Sequence, residues 1–301
     1  MNLQTLIHKN TWNDINGYLS ICKPPSLILS GINGLGKFEL GKYVASQLLA
    51  CKISDLHNNP DFYVIGNNGS ISVDDINSVI DFTNRSSVNN RKVILINQAN
   101  TITVSSQNKL LKILEDRVGN ILIFITNSVA LIETVTSRCC CIQVQPLSEE
   151  SMRFFLIRQG ITESRAFFFS YMLENAPFLF LREKETLEEY FNQYERIKRI
   201  TERSELLEVM HMKKEKDKKN FYELNGSHIP WNIKLILYPF YECYYCHLNG
   251  ISANNVTYPA NLYSHEESFK ILLHGQAHIR KKNYTKNDYF NLLRYIIEPE
   301  K

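Results

Sequence analysis

One turn limits the possible folds more than anything else in the 301 residues. The apolar run Ser26-Leu-Ile-Leu-Ser30 leads into Gly31-Ile-Asn-Gly34-Leu-Gly36-Lys37, and a helix-like segment continues from Lys37 to Leu49. A glycine loop between a strand and a helix lets successive backbone N–H groups turn toward an anion, with a lysine reaching the terminal phosphates. Further strand and helix signals alternate around it. Phe62-Tyr-Val-Ile65 reads as a strand, and Ser72-Val-Asp-Asp75 has the spacing of a capping box that opens a helix to about Thr83. Lys92-Val-Ile-Leu-Ile96 is too continuously apolar for a half-exposed strand. Ser105 to Asp116 sets Leu110, Leu111 and Leu114 on one helical face, and Ile121–Ile125 and Ile142–Val144 supply two more strands. The pattern predicts an α/β domain: a parallel sheet with helices on both faces.

From Leu147 onward the strand signal ends. Ser148-Glu-Glu150 reads as a cap with acids in a first helical turn, a second short helix spans Glu163 to Leu173, and Pro177 interrupts a third. Lys184 to Met212 carries Leu187, Tyr190, Phe191, Tyr194, Ile197 and Ile200 at helical steps. Lys213-Lys-Glu-Lys-Asp-Lys-Lys219 reads as a solvated charge run, and residues 230 to 298 as helical and Tyr-rich with a loop at 250–259. The expected division is residues 1–146 as the α/β domain, 147–183 as a small helical domain and 184–301 as an all-helical domain. The aromatic stripes Phe167–Phe169 and Tyr238–Tyr245 lack interleaved Arg or Lys, so they read as core or subunit interface rather than a base-stacking platform.

Composition narrows the partners. The 34 basic and 31 acidic side chains leave a net charge of +3, so direct contact with DNA should be slight. The longest apolar stretches are strand-sized and the N-terminus lacks a signal-peptide core, which predicts a cytoplasmic chain without a membrane partner. Seven cysteines with a Cys139-Cys140-Cys141 run do not suit a disulfide framework and read as reduced thiols.

The phosphate loop lacks its metal ligands. Phe38 stands where a Ser or Thr hydroxyl would bind Mg²⁺, and the strand ending at Ile96 runs into Asn97-Gln98 rather than acids. Without those oxygens no Mg²⁺ site is expected and hydrolysis of ATP by this chain is not. Gly31, Gly34, Gly36 and Lys37 then either hold a nucleotide without hydrolysing it or survive as a tight turn. Cys51 and His57 alone do not make a zinc site, and Cys243-Tyr-Tyr-Cys246-His247 matches a haem-attachment pattern only by its letters.

Three further segments occur in a known order. They are Gln107-Asn108-Lys-Leu-Leu-Lys-Ile-Leu-Glu115-Asp116, Ile121-Leu-Ile-Phe-Ile-Thr126-Asn127 and Thr134-Val-Thr-Ser137-Arg138-Cys139. Together they resemble bacterial clamp-loader subunits of the AAA+ class, over about residues 10 to 147. The resemblance implies a RecA-like AAA+ base, a helical lid and a helical collar that oligomerises. The missing acids point to a member without ATPase activity of its own, within a hetero-pentamer of motor ATPase subunits and a clamp-opening subunit. That assembly acts on a sliding clamp and primed DNA, with ATP held by the neighbours and no cofactor in this chain.

By the same resemblance, Thr126 and Asn127 are sensor-like. Arg138, flanked by Ser137 and Cys139, is an arginine presented in trans to a neighbour's ATP. On the residues alone, Arg138 can equally pair with an acid or cap the preceding helix. The lid segment Asn175-Ala-Pro-Phe-Leu-Phe180 departs from the small-residue and Arg pattern with which active members contact nucleotide. Two other readings stand beside the first: an active clamp-loader motor, and a degenerate phosphate-loop scaffold outside replication.

Overall fold

The apolar run Lys92–Ile96 forms a strand in which Val93, Ile94, Leu95 and Ile96 are all fully buried. A computed structural model describes residues 3–67, 69–88, 90–116, 119–127, 131–199, 231–248, 263–279, 292 and 295–296. These fall into two compact units, Met1–Phe155 with Asn175–Leu179, and Leu156–Glu174 with Phe180–Lys301.

The first unit is built on five strands: β1 (Ser26–Ser30), β2 (Phe62–Ile65), β3 (Lys92–Ile96), β4 (Asn120–Thr126) and β5 (Cys139–Gln143). All four pairings are parallel and the order is β2-β3-β4-β1-β5. Its helices are α1 (Lys9–Leu19), α2 (Lys37–Leu48), α3 (Val73–Asn84), α4 (Val104–Glu115), α5 (Glu133–Thr136) and α6 (Glu149–Arg158), the last of which runs past Phe155.

Alternation along the central strands assigns the two faces. Ile94, Ile96, Leu122 and Phe124 join Ile76 and Val79 of α3 and Leu110 and Leu114 of α4 in one cluster. On the opposite face Gly41 of α2 lies so close that a methyl group there would come within 2.7 Å of Leu95 Cδ1. Both faces are therefore covered, which is why β3 and β4 carry hardly a polar residue between their ends. Leu111, expected on the buried face of α4, is only half-buried, and Ile113 is buried in addition.

Local chemistry sets the element ends. Ser72 Oγ accepts from the Asp75 N–H at 3.1 Å while the Ser72 N–H donates to Asp75 Oδ2 at 2.8 Å, the reciprocal capping box expected for α3. Sequence reasoning gave no helix at Lys9–Leu19, because Asn-rich α1 offers only Thr11, Ile15 and Tyr18 as a buried stripe. The stripe suffices: Thr11 Oγ1 accepts from the Gln145 N–H at 3.0 Å, and the Trp12 and Tyr43 rings meet at 4.9 Å. Strand β5 starts at Cys139 rather than Ile142 because the cysteines pair along β1, from Ser26 opposite Cys139 to Ser30 opposite Gln143.

In the second unit, α7 (Glu163–Met172), most of α8 (Pro177–Ile197), α9 (Trp231–Leu248) and α10 (His265–Ile279) supply the described helices. Pro177 begins α8 instead of interrupting it, as suits a residue with no N–H to leave unpaired. The helix bends at Glu183, whose backbone is non-helical. Aromatic side chains form the core: the Phe168 ring meets Tyr238 edge-on at 4.8 Å and stacks on Tyr194 at 5.2 Å, and Tyr171 meets Tyr241 at 4.6 Å. The Tyr194 hydroxyl donates to Glu242, and burial raises the Glu242 carboxyl above the usual carboxylate range. Lys234, also buried, donates to Met172 O at 2.9 Å and pairs with Glu174 at 2.6 Å. Of the stripes expected to be core or subunit interface, Phe168, Phe169, Tyr238 and Phe240 are core, while Phe167, Tyr241, Tyr244 and Tyr245 are half-buried. The charge run at 213–219, the helix beyond residue 199 and the loop at 250–259 lie outside the described residues.

Candidate functional site

The residues singled out in the sequence separate into two groups at opposite ends of β1. The strand ends at Ser30, and the glycine loop that follows lies where the chain path reverses, between the crossover to β2 and the return from β4 to β5. In an open parallel sheet that crevice, at the carboxyl ends of the strands, is where ligands bind.

Here the loop is filled from within. Gly34 and Gly36 adopt left-handed backbone, with φ of +79° and +76°, as a phosphate-cradling turn requires. The space above both is taken by the first turn of α8. A methyl group on Gly36 would come within 2.2 Å of Phe178 Cε2, and one on Gly34 within 2.2 Å of Leu179 Cγ. The Phe178 N–H donates to Gly34 O at 3.0 Å, fixing the segment to the loop backbone.

Lys37 is turned inward as well. Its ammonium donates to Gly31 O and Ile32 O, both at 2.6 Å, and the side chain is 6% exposed. Burial lowers its pKa to about 8. A lysine so placed satisfies two carbonyls of its own loop.

The neighbouring positions follow suit. Phe38 lies under the Lys42 ammonium, 4.5 Å from the ring centroid, and both line a cavity of about 540 Å³ with His57, Phe62 and Tyr63. Asn97 Oδ1 accepts from the Gln98 N–H at 3.0 Å and shapes the left-handed turn after β3. Among these, no side chain at 38, 97 or 98 brings a carboxylate toward the loop. Thr126 ends β4 in register with Ser30 and is buried, so the sensor-like position does lie beside the glycine loop; Asn127 is exposed.

At the amino end of β1 the situation is reversed. Cys139 is paired with Ser26, so Arg138, one residue before it, lies about 16 Å of strand away from Ser30. Ser137 Oγ donates to Thr134 O at 3.3 Å at the end of α5, and Cys139 packs against the core cluster, where burial pushes its thiol up to about 12. Between these two anchors the Arg138 side chain is 36% exposed. Its Nη1 donates to Thr134 O at 2.8 Å, and its Nη2 pairs with Glu115 Oε1 at 2.9 Å. Arg138 therefore does both things open to it from sequence, pairing with an acid and capping the preceding helix, while remaining at the surface.

Phe178, Leu179 and Glu115 are the residues that sequence reasoning did not single out by role. The segment 175–180 drew notice only for the pattern it lacks, and Glu115 only as the end of a helix motif. Among the described residues, no three His, Cys, Asp or Glu side chains gather as a metal cluster, and the seven cysteines are free thiols. No helix among the described residues is long and apolar enough to cross a membrane.

The strand order with the glycine loop after β1 defines a RecA-like α/β fold, with helices in the C-terminal half. Two solved structures of Thermotoga maritima RuvB mutants share the fold, at TM-scores of 0.52 and 0.51 and 15% and 16% identity, each covering 97% of this chain and 96% of that one. At such identity the likeness is one of fold. Residues 23–148 match the family described as DNA polymerase III, delta subunit. The DNA polymerase III subunit delta' of Pseudomonas aeruginosa is 30% identical over a stretch covering 37% of this chain and 40% of that protein. The chain is thus delta-prime-like through its α/β domain, and the similarity spans about two fifths of the length of that relative.

Proposed function

We propose that this chain is a non-catalytic, delta-prime-like subunit of a replicative clamp loader, supplying Arg138 to the ATP of a neighbouring subunit. The observation that carries the reading is the position of Arg138. At the opposite end of β1 from the chain's own phosphate loop, its guanidinium is beyond reach of anything bound there. An exposed arginine so placed serves a second molecule, where it stabilises charge on a transferring phosphoryl group.

The filled glycine loop supports the other half of the reading. With Phe178 and Leu179 over Gly36 and Gly34, and Lys37 bonded to Gly31 O and Ile32 O, the loop acts as a structural turn. In this proposal residues 1–146 are the base, 147–183 the lid and 184–301 a collar. The chain works in the cytoplasm within a hetero-pentamer of motor ATPase subunits and a clamp-opening subunit, which loads a sliding clamp onto primed DNA. It holds no Mg²⁺, zinc or nucleotide of its own.

The test is Arg138→Ala in the reconstituted loader. Clamp-dependent ATP turnover by the neighbours falls steeply if the arginine acts in trans, and unchanged turnover and loading defeat the reading. Association with motor subunits and clamp in a pull-down separates this role from a scaffold outside replication.

A further inference from the structure

We propose that Glu115 is a positioning residue for Arg138, holding the guanidinium so that one edge stays available for a phosphate oxygen pair on a neighbouring subunit's nucleoside triphosphate. The inference deepens the trans-arginine reading and rests on it.

The geometry begins with a rigid link between the two helices concerned. Gln107 of α4, 2% exposed, accepts the Ile132 N–H at 2.8 Å through Oε1 and donates through Nε2 to Ile102 O at 3.0 Å. The start of α5 is thereby fixed to α4, and Val135 is buried beneath it. Glu115 is the last residue of α4 and Arg138 follows α5, so the two side chains meet across a fixed junction.

The five guanidinium hydrogens divide unequally. Both on Nη1 have acceptors, Thr134 O at 2.8 Å and Ser137 Oγ at 3.5 Å, and one on Nη2 goes to Glu115. The Nε–H and the second Nη2 hydrogen have no partner among the described residues. Nε and Nη2 share one edge of the planar group, the fork that receives two oxygens of a carboxylate or phosphate, and the Nε–H keeps that edge open. Glu115 therefore takes a single Nη2 hydrogen and sets the rotation of the plane while the Nε–H and the other Nη2 hydrogen stay open. With side chains 36% and 55% exposed, the pair biases the side chain without locking it.

The experiment is steady-state ATP hydrolysis by the reconstituted assembly containing Glu115→Gln, Glu115→Asp, Arg138→Ala, or Glu115→Gln with Arg138→Ala. Glu115→Gln lowers kcat about threefold with KM unchanged, and the loss shrinks as salt is raised, because it reflects an exposed ion pair. Glu115→Asp restores most of the rate, and Glu115→Gln has no further effect once Arg138 is Ala. Native kcat in Glu115→Gln, alongside a large loss in Arg138→Ala, overturns the positioning role and leaves the trans arginine standing. An equal Glu115→Gln loss in the Arg138→Ala background also overturns it. No loss in Arg138→Ala overturns the trans reading beneath it.

Discussion

The two ends of β1 carry the two motifs by which the chain resembles a nucleotide-handling protein, and the protein treats them in opposite ways. At the carboxyl end the glycine loop keeps its backbone form, and its lysine is turned to the chain itself. Lys37 bonds to loop carbonyls, and Phe178 and Leu179 occupy the space over the glycines. At the amino end Arg138 keeps its charge at the surface, held by one exposed acid and one helix-terminal carbonyl. The difference teaches that a motif can persist for different reasons in one domain. The loop makes a tight strand-to-helix turn against which Phe178 and Leu179 pack. The arginine makes only surface contacts within the chain, and under the proposed function its value comes from another molecule.

The largest effect that sharpens the comparison is at Arg138. Replacing it with Ala lowers turnover of the reconstituted assembly by as much as about 10³-fold, the scale of an arginine supplied across an interface, while urea unfolding of the isolated chain shifts by less than about 1 kcal/mol. The carboxyl end should show the converse, stability without turnover. Gly36→Ala forces a side chain into left-handed backbone and against the Phe178 ring, destabilising the chain by about 3 kcal/mol. Adding Phe178→Ala to that variant removes the clash component, so the two changes are non-additive in urea unfolding.

A smaller effect comes from Lys37. Its folded pKa near 8 lies below the ordinary lysine value, so above pH 8 the unfolded chain binds the proton that the folded chain has released. Stability relative to Lys37→Met therefore rises with pH, by about 2 kcal/mol between pH 7 and 9.5. A flat difference across that range would mean that Lys37 is not buried against its own loop.

Much of the α/β unit was legible because its strands are nearly all-apolar and its turns are chemically marked. The runs at 26–30, 62–65 and 92–96 became strands with the residues they were read from, and the Ser72–Asp75 spacing became a capping box. Helix α1 escaped because three buried residues, not a run, hold it in place. The start of β5 escaped because Cys139-Cys140-Cys141 has no strand signature apart from its partner β1. The same limit applies to the candidate site. Spacing identified Gly31, Gly34, Gly36 and Lys37, and the resemblance to clamp-loader subunits pointed to Arg138, since each belongs to a local pattern. Contacts between Gly36 and Phe178, or Glu115 and Arg138, join residues far apart in the chain, and no local pattern encodes them. In the second unit the reading of helices and an aromatic core held because aromatic residues at helical steps have few other uses.

The central claim is that this chain lends an arginine and does no hydrolysis, and ATP turnover by the isolated full-length chain in the presence of Mg²⁺, with and without primed DNA, tests it most directly. The expected result is no hydrolysis above the buffer rate under either condition. Turnover that saturates with ATP and vanishes in Lys37→Ala would contradict it, placing the chemistry at the end of β1 that the fold has filled.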